Sequence, residues 1–398
     1  MKIFSVATIK GYSNTIGERN VVDEIMSTLL FVQRILGQNL LDPNWSWKNQ
    51  FLKHTFIISL IIYVFFGTRD YLKDKTDIPS IGEAYYTVLI TLIFVVKYSL
   101  ILHNRKTFQT LYLIAKTTLL EMVKMDSIKK YEAMLNKIRL IVKMLFVTTN
   151  FPVAMYLFFA IWHYIIGNRV TLSKTTSILM PMTSPYYEIG FILHAIFLFE
   201  MGFSILVIDM WFVILIFFLC MAWNSTVDIL KVEPKRHGEL DSQYEERLNN
   251  SLRMFYKNHN QLMKYLNIFS NMQKWPAIVP LVSTLLSFCL MLFLMTEKVQ
   301  WVVLSNILPT AIEIFAYNWF GEHVKDKGIQ LNMALLNYDW QSMRMKDRKN
   351  YLIIITYMAK EICIKTAVGN DLSLFTMSSV SLHLNKFNRL QISFACGL

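Results

Sequence analysis

The sequence predicts an all-α membrane protein with seven transmembrane helices, its N-terminus cytoplasmic and its C-terminus extracellular. Three observations carry that prediction. Apolar residues fill 54% of the 398 positions and charged residues only 17%, whereas soluble domains carry roughly 25% charge. The apolar residues are gathered into long runs. Lysine and arginine, which give a formal net charge of +12, rise and fall in density from one inter-run segment to the next. Aromatic residues at 14%, with 13 Gly and 9 Pro, exclude a disordered chain.

Residues 1–50 are read as a cytoplasmic N-terminal segment. Residues 1–28 hold no continuous apolar core, so no cleavable leader is expected there. Helices 1–6 are expected within 51–320. The first run, 51–67, stops at Arg69 and Asp70. The second, 85–102, ends at His103, Arg105 and Lys106, and Lys97 near that end is expected to snorkel to the cytoplasmic interface. The third, 138–166, carries Trp162 and Tyr164 near its exit, where amphipathic rings favour the headgroup layer. The fourth, 189–223, is the longest. A span needs about 20 residues, so one tilted or projecting helix is expected there. The fifth, 275–296, has Pro276 and Pro280 near its start, and the sixth is 301–320. Residues 321–371 form a cytoplasmic region with a non-spanning helix, because the apolar stretch 351–358 (YLIIITYM) is too short to cross. The last run, 372–398, is more polar, with Ser373, Ser378, Ser381, Asn385 and Asn388 recurring along it. Such residues suit a helix lining a water-filled path, and equally one hydrogen-bonded to its neighbours.

Charge sets the orientation. Residues 1–50, 103–139, 224–275 and 321–365 contain five, eight, eight and eight Lys or Arg, against three, two and one in 68–83, 167–186 and 297–300. Basic residues are retained inside, so the first set is cytoplasmic. That arrangement is opposite to a G-protein-coupled receptor, and the chain also lacks an acidic-Arg-Tyr triplet after the third run and an Asn-Pro-x-x-Tyr stretch in the seventh. The glycan acceptor patterns at Asn44, Asn224 and Asn249 then fall on the cytoplasmic side.

Enzyme signatures are missing: there is no GxGxxG, P-loop, HExxH or GxSxG, and the eight His are dispersed without metal-ligand spacing. Cys220, Cys289, Cys363 and Cys396 form no pair pattern. No metal, no cofactor and no nucleic-acid partner are expected. Glu200, Asp209 and Glu313 lie inside apolar runs, where an acid marks either a function or a buried pair. Aromatic side chains crowd the outward ends of three runs: Tyr85 and Tyr86, then Phe158, Phe159 and Trp162, then Tyr187, Phe191 and Phe199. Facing one another they would line an apolar cavity for small hydrophobic ligands. Taken singly, each suits a lipid-facing or interfacial anchor.

The C-terminal third carries a resemblance. Residues 317–322 (YNWFGE), 334–340 (ALLNYDW), the pair Arg348 and Lys349, and the apolar stretch 351–358 follow one another as in the insect odorant receptor family. Phe375-Thr376-Met377-Ser378 and Ser393-Phe394 are similar to the start and end of that family's last helix. The resemblance implies a cytoplasmic anchor with a helix at about 335–366. It implies four subunits around one central path lined by the last helix. It also implies direct opening by a volatile organic ligand bound in the outer half of the second, third, fourth and sixth helices. On that basis the ligand site is expected at Tyr85, Tyr86, Ile90, Met155, Phe158, Phe159, Trp162, Phe199, Phe203 and Thr310, with Trp162 facing Phe159 or Tyr86. The pore is expected at Ser393, Phe394, Cys396 and Leu398. The family's shared co-receptor has an insertion between the fourth and fifth spans that residues 224–275 do not show, so the chain resembles a tuning subunit. Implied partners are co-receptor subunits in a tetramer, permeating cations and the plasma membrane of sensory neurons. A Lys360-Glu361-Ile362 segment replaces the family's usual Gln-Lys-Pro. A gustatory-type relative is a second reading, disfavoured by the missing Thr-Tyr to Gln-Phe motif, and a non-transporting membrane scaffold is a third.

Overall fold

The computed structural model describes residues 21–42, 44–73, 78–170, 172, 182–297, 301–358, 362–366, 369 and 371–373. Among them the elements are helical. In chain order they are α1 (Val21–Ile35), α2 (Phe51–Lys73), α3 (Ile78–His103), α4 (Arg105–Ile114), a π-turn (Ala115–Leu119), α5 (Leu120–Asp126) and α6 (Ile128–Ile165). They continue with α7 (Tyr186–Ile229), α8 (Asp241–Glu297), α9 (Trp301–Leu336) and α10 (Met345–Met358). The expected last helix and its pore residues Ser393, Phe394, Cys396 and Leu398 lie outside the described residues.

The helices outrun the apolar runs that announce them. At 1.5 Å per residue, the 44 residues of α7 reach about 66 Å and the 57 of α8 about 85 Å, against roughly 30 Å of hydrocarbon. The run 275–296 is thus only the tail of α8, and 301–320 only the first part of α9. The non-spanning helix is shorter than the expected 335–366: α9 holds Leu335, a turn over 337–344 follows, and α10 begins at Met345. Proline is compatible with this continuity, since Pro152 sits inside α6 without ending it.

The chain divides into two compact units. The first comprises Met1–Gln109, Leu135–Trp211 and Val282–Thr310. Its described core joins α2, α3 and α7 through Ile57, Leu60, Val64, Phe94, Tyr98 and Phe197. Span character differs sharply within it. The apolar window of α7 is 89% buried and that of α6 only 17%. A helix stretch apolar on all sides must be enclosed by others, and residues 206–216 of α7 are all buried, whereas nearer its start Ile189, Ile192, Leu193, Ile196 and Phe199 are exposed. On α6, Leu140, Met144, Val147, Phe151, Phe158 and Ile165 are exposed at helical spacing, which marks its lipid-facing stripe.

The second unit comprises Thr110–Met134, Phe212–Leu281 and Ala311–Leu398. Here the side chains of the motif residues tie separate parts of the backbone together. Tyr338 donates to the Leu248 carbonyl at 2.6 Å and Tyr351 to the Leu335 carbonyl at 2.8 Å. Tyr244 donates to Asp339 at 3.0 Å, and the Trp340 and Tyr351 rings stack at 6.1 Å. Tyr317 stacks on Phe212 at 4.1 Å. Gly321 is required by close approach: a Cβ there would collide with the Leu372 backbone. Leu372 itself is tied back to Ile364 at 2.9 Å, beside the Lys365–Asp371 bridge. At the inner end of α7, burial would raise the Asp228 carboxyl, but Lys130 and Lys231, each at 2.7 Å, hold it below the usual range. His259 is enclosed between Phe255 and Tyr357, and burial pushes its imidazole down to about 4.

Candidate ligand site and its comparisons

The expected ligand residues separate into two groups in the first unit. Phe199 and Phe203 of α7 stack at 6.0 Å, and Phe146 of α6 continues the stack from Phe203 at 6.0 Å. Three rings therefore run across the α6–α7 boundary. The helices can approach there because Gly202 presents no side chain: a Cβ would sit 3.3 Å from Val153. Each aromatic pair contributes on the order of 0.5–1.5 kcal/mol beyond its burial. Tyr86 of α3 is 7% exposed, and its buried hydroxyl has no hydrogen-bond partner among the described residues. Ile90 and Met155 are half-buried.

The second group points elsewhere. Trp162 is 55% exposed and stacks on Phe158, one turn earlier, at 6.4 Å. Both belong to the outward stripe of α6, where 3.6-residue periodicity carries them away from α7. The expected pairing of Trp162 with Phe159 or Tyr86 is replaced by this pairing, and Phe159 packs instead on His163 at 4.5 Å. Tyr85 is exposed beside its buried neighbour Tyr86, as consecutive positions on a helix are 100° apart. Of Thr310 only the helical backbone is described.

The outer rim is built from Tyr187 rather than Trp162. Tyr164 stacks on Tyr187 at 5.9 Å, Arg169 lies 5.5 Å over the Tyr187 ring and pairs with Glu188 at 3.6 Å, and the Tyr187 hydroxyl donates to Val170 at 2.9 Å. These contacts fasten the start of the loop after α6 to the start of α7.

One pairing escaped the sequence reading. Lys97 does not snorkel: its ammonium lies 2.8 Å from Asp209, with the two side chains 0% and 12% exposed. It joins α3 to α7, seven residues from Ile90 and six from Phe203. Each residue was conspicuous as a charge in an apolar run; their partnership, 112 positions apart, was not. Tyr63 and His194 likewise meet across α2 and α7 at 5.4 Å, and the His54 ring contacts the Tyr98 hydroxyl. No group of three or more His, Cys, Asp or Glu able to hold a metal occurs among the described residues.

No curated protein matches the chain by sequence. Solved structures share its fold, among them two of one receptor. The insect olfactory receptor OR5 from Machilis hrabei superposes with a TM-score of 0.71 at 14% identity, covering 93% of this chain and 98% of that one. The same receptor in complex with eugenol gives 0.69 at 15% identity, covering 94% and 98%. The fold is therefore the all-α, multi-pass membrane fold of that receptor, with the N-terminus cytoplasmic. The family model described as 7tm Odorant receptor matches residues 77–381, and the chain belongs to that odorant receptor family.

Proposed function

We propose that this chain is the ligand-binding subunit of an odorant-gated, poorly selective cation channel that assembles with co-receptor subunits. The observation that carries the reading is the ring stack Phe146–Phe203–Phe199 across α6 and α7, in a chain of the odorant receptor family. Aromatic walls suit a small hydrophobic volatile. Such walls discriminate weakly between similar guests, so the spectrum of ligands is set by shape. The proposed site comprises Tyr86, Ile90, Met155, Phe199 and Phe203, with Phe146 added. Of the wider expected set, Tyr85, Phe158, Phe159 and Trp162 are exposed and are left outside the proposed site, to which Thr310 is added.

Assembly is supported by the second unit. Ile329, Met333 and Leu336 of α9 and Leu352, Ile353 and Tyr357 of α10 are exposed, in a region expected to be cytoplasmic from its basic charge. Water-facing helices do not leave such an apolar area bare unless another chain covers it. Ser393, Phe394, Cys396 and Leu398 are proposed to line the shared ion path. The test is ligand-evoked current in cells expressing the chain with a co-receptor. Phe203→Ala should raise the half-maximal concentration at least tenfold while surface expression is kept. Absence of any evoked cation current across a broad panel of volatiles would overturn the proposal.

A further inference from the structure

At the cytoplasmic foot of the first two spans, α1 and residues 36–42 and 44–50 fold back against the bundle. Met26, Leu29, Val32, Leu36 and Leu40 are buried on the inner side. Gln38 donates to the Ser204 hydroxyl at 3.4 Å, and the Trp45 indole donates to the Gly37 carbonyl at 2.7 Å. Arg105, at the end of the second span, lies 4.6 Å over the Trp45 ring and donates to the Asp42 carbonyl. The segment is therefore a fixed part of the first unit.

Its outer side has a different chemistry. Phe31, Ile35, Trp47, Phe51 and Leu52 are exposed, from 50% at Ile35 to 82% at Leu52. Arg34, Lys48 and Lys53 are exposed among them. These groups are brought together by contacts, not by sequence alone. Lys53 donates to the carbonyls of Arg34 and Ile35 at 3.1 Å each, which seats the end of α1 on the foot of α2. Trp47 packs on His54 of α2 at 4.6 Å, which holds its neighbour Lys48 at the same foot. Asp42, the one carboxylate between positions 30 and 53, accepts the Asn44 amide at 2.9 Å. Three cations thus stand beside a bare apolar face at the level where the chain enters the bilayer. Water disfavours the apolar part and hydrocarbon the charges, whereas the headgroup boundary suits both.

We propose that this face is a binding site for an anionic phospholipid of the cytoplasmic leaflet. Arg34 and Lys48 hold the headgroup phosphate and carboxylate, Trp47 lies at headgroup level, and Phe31, Ile35, Phe51 and Leu52 cover the upper acyl chains. The negative charge of the lipid complements the three cations, and its tails complement the four apolar side chains. The lipid face is built from residues 31–53, none of which is a proposed ligand residue, so it stands whether or not a volatile opens the channel.

The test uses the full chain purified in mild detergent and titrated with phosphatidylserine or phosphatidylcholine, with bound lipid counted by native mass spectrometry. Phosphatidylserine is expected to bind at lower concentration than phosphatidylcholine. Arg34→Gln with Lys48→Gln should weaken its binding about 30-fold, at about 1 kcal/mol per basic residue near an anionic surface. The control Lys235→Gln with Arg236→Gln, in the exposed 230–240 connection, should leave it unchanged. Trp47→Ala should weaken both lipids severalfold. The proposal is overturned if the Arg34/Lys48 variant binds as the wild type does, or if the two lipids bind equally. It is also overturned if cysteine cross-linking at Phe31 or Leu52 captures a second copy of the chain in place of lipid. Both basic side chains are exposed, so the variant should melt with the wild type. A melting temperature lowered by several degrees would mean that they hold the fold together, and would also count against the site.

Discussion

Lys97→Met should be among the most damaging single changes in the first unit. It would strand the Asp209 carboxylate, 12% exposed, without the ammonium now 2.8 Å away. Removing one member of a buried pair costs on the order of 3–5 kcal/mol, because the remaining charge keeps its desolvation penalty. Asp209→Asn should cost a similar amount by stranding Lys97, which is fully buried. Lys97→Met together with Asp209→Leu removes both charges and should fall within about 1–2 kcal/mol of the wild type. The signature is thus strong non-additivity, read from thermal unfolding of detergent-solubilised protein in a double-mutant cycle. The ligand site should register the same change. Lys97 is seven residues from Ile90 and Asp209 six from Phe203, about 10 Å along each helix, so the pair sets the register of α3 against α7. Both single variants should therefore shift the dose response to higher concentration, and the double variant should recover most of it. Additive costs in the cycle, or single variants that melt with the wild type, would refute the reasoning.

Trp162→Ala should leave the dose response within about twofold of wild type, because its ring lies on the lipid-facing stripe; a large shift would return it to the ligand site. Gly321→Ala should abolish surface expression or assembly, measured by cell-surface biotinylation, since its Cβ would meet the Leu372 backbone, which cannot rotate away. His259 is held neutral in the folded state, with an imidazole near 4 against 6.5 when exposed. Stability should thus be full above pH 6.5 and fall by up to a few kcal/mol as pH drops toward 4, and His259→Leu should flatten that loss in pH-dependent melts. Asn44 and Asn249 should carry no glycan in protein from eukaryotic membranes, and sugar on either, seen by mass spectrometry, would reverse the orientation.

What was legible in the sequence follows from what hydropathy measures. Runs of apolar residues report the solvent around a helix, so they coincide with parts of α2, α3, α6, α7, α8 and α9 and miss those helices' polar ends. The run 51–67 ends at Arg69, yet α2 continues to Lys73, where Lys73 and Asp70 pair at 2.7 Å one turn apart. The helix over 351–358 was legible as an apolar stretch too short to span, but its start was not. The break depends on the turn at 337–344 and on Tyr338 reaching Leu248, a contact made 90 residues away. In the candidate site, aromatic content says which helices carry rings but not where the rings point. Direction around each helix decides whether a ring meets a neighbour or lipid, and one residue of phase separates buried Tyr86 from exposed Tyr85. Phe146 and the Lys97–Asp209 pair needed the packing of two helices to be known together.

Gly321 has a mechanical consequence. Where two elements touch through side chains, rotamers act as springs and absorb a small displacement before it travels further. At Gly321 the contact is backbone on backbone, with Leu372 pinned again at Ile364. Such a joint has almost no compliance. A shift of the inner part of α9 by a fraction of an ångström is delivered undiminished to residue 372, where the segment expected to line the ion path begins.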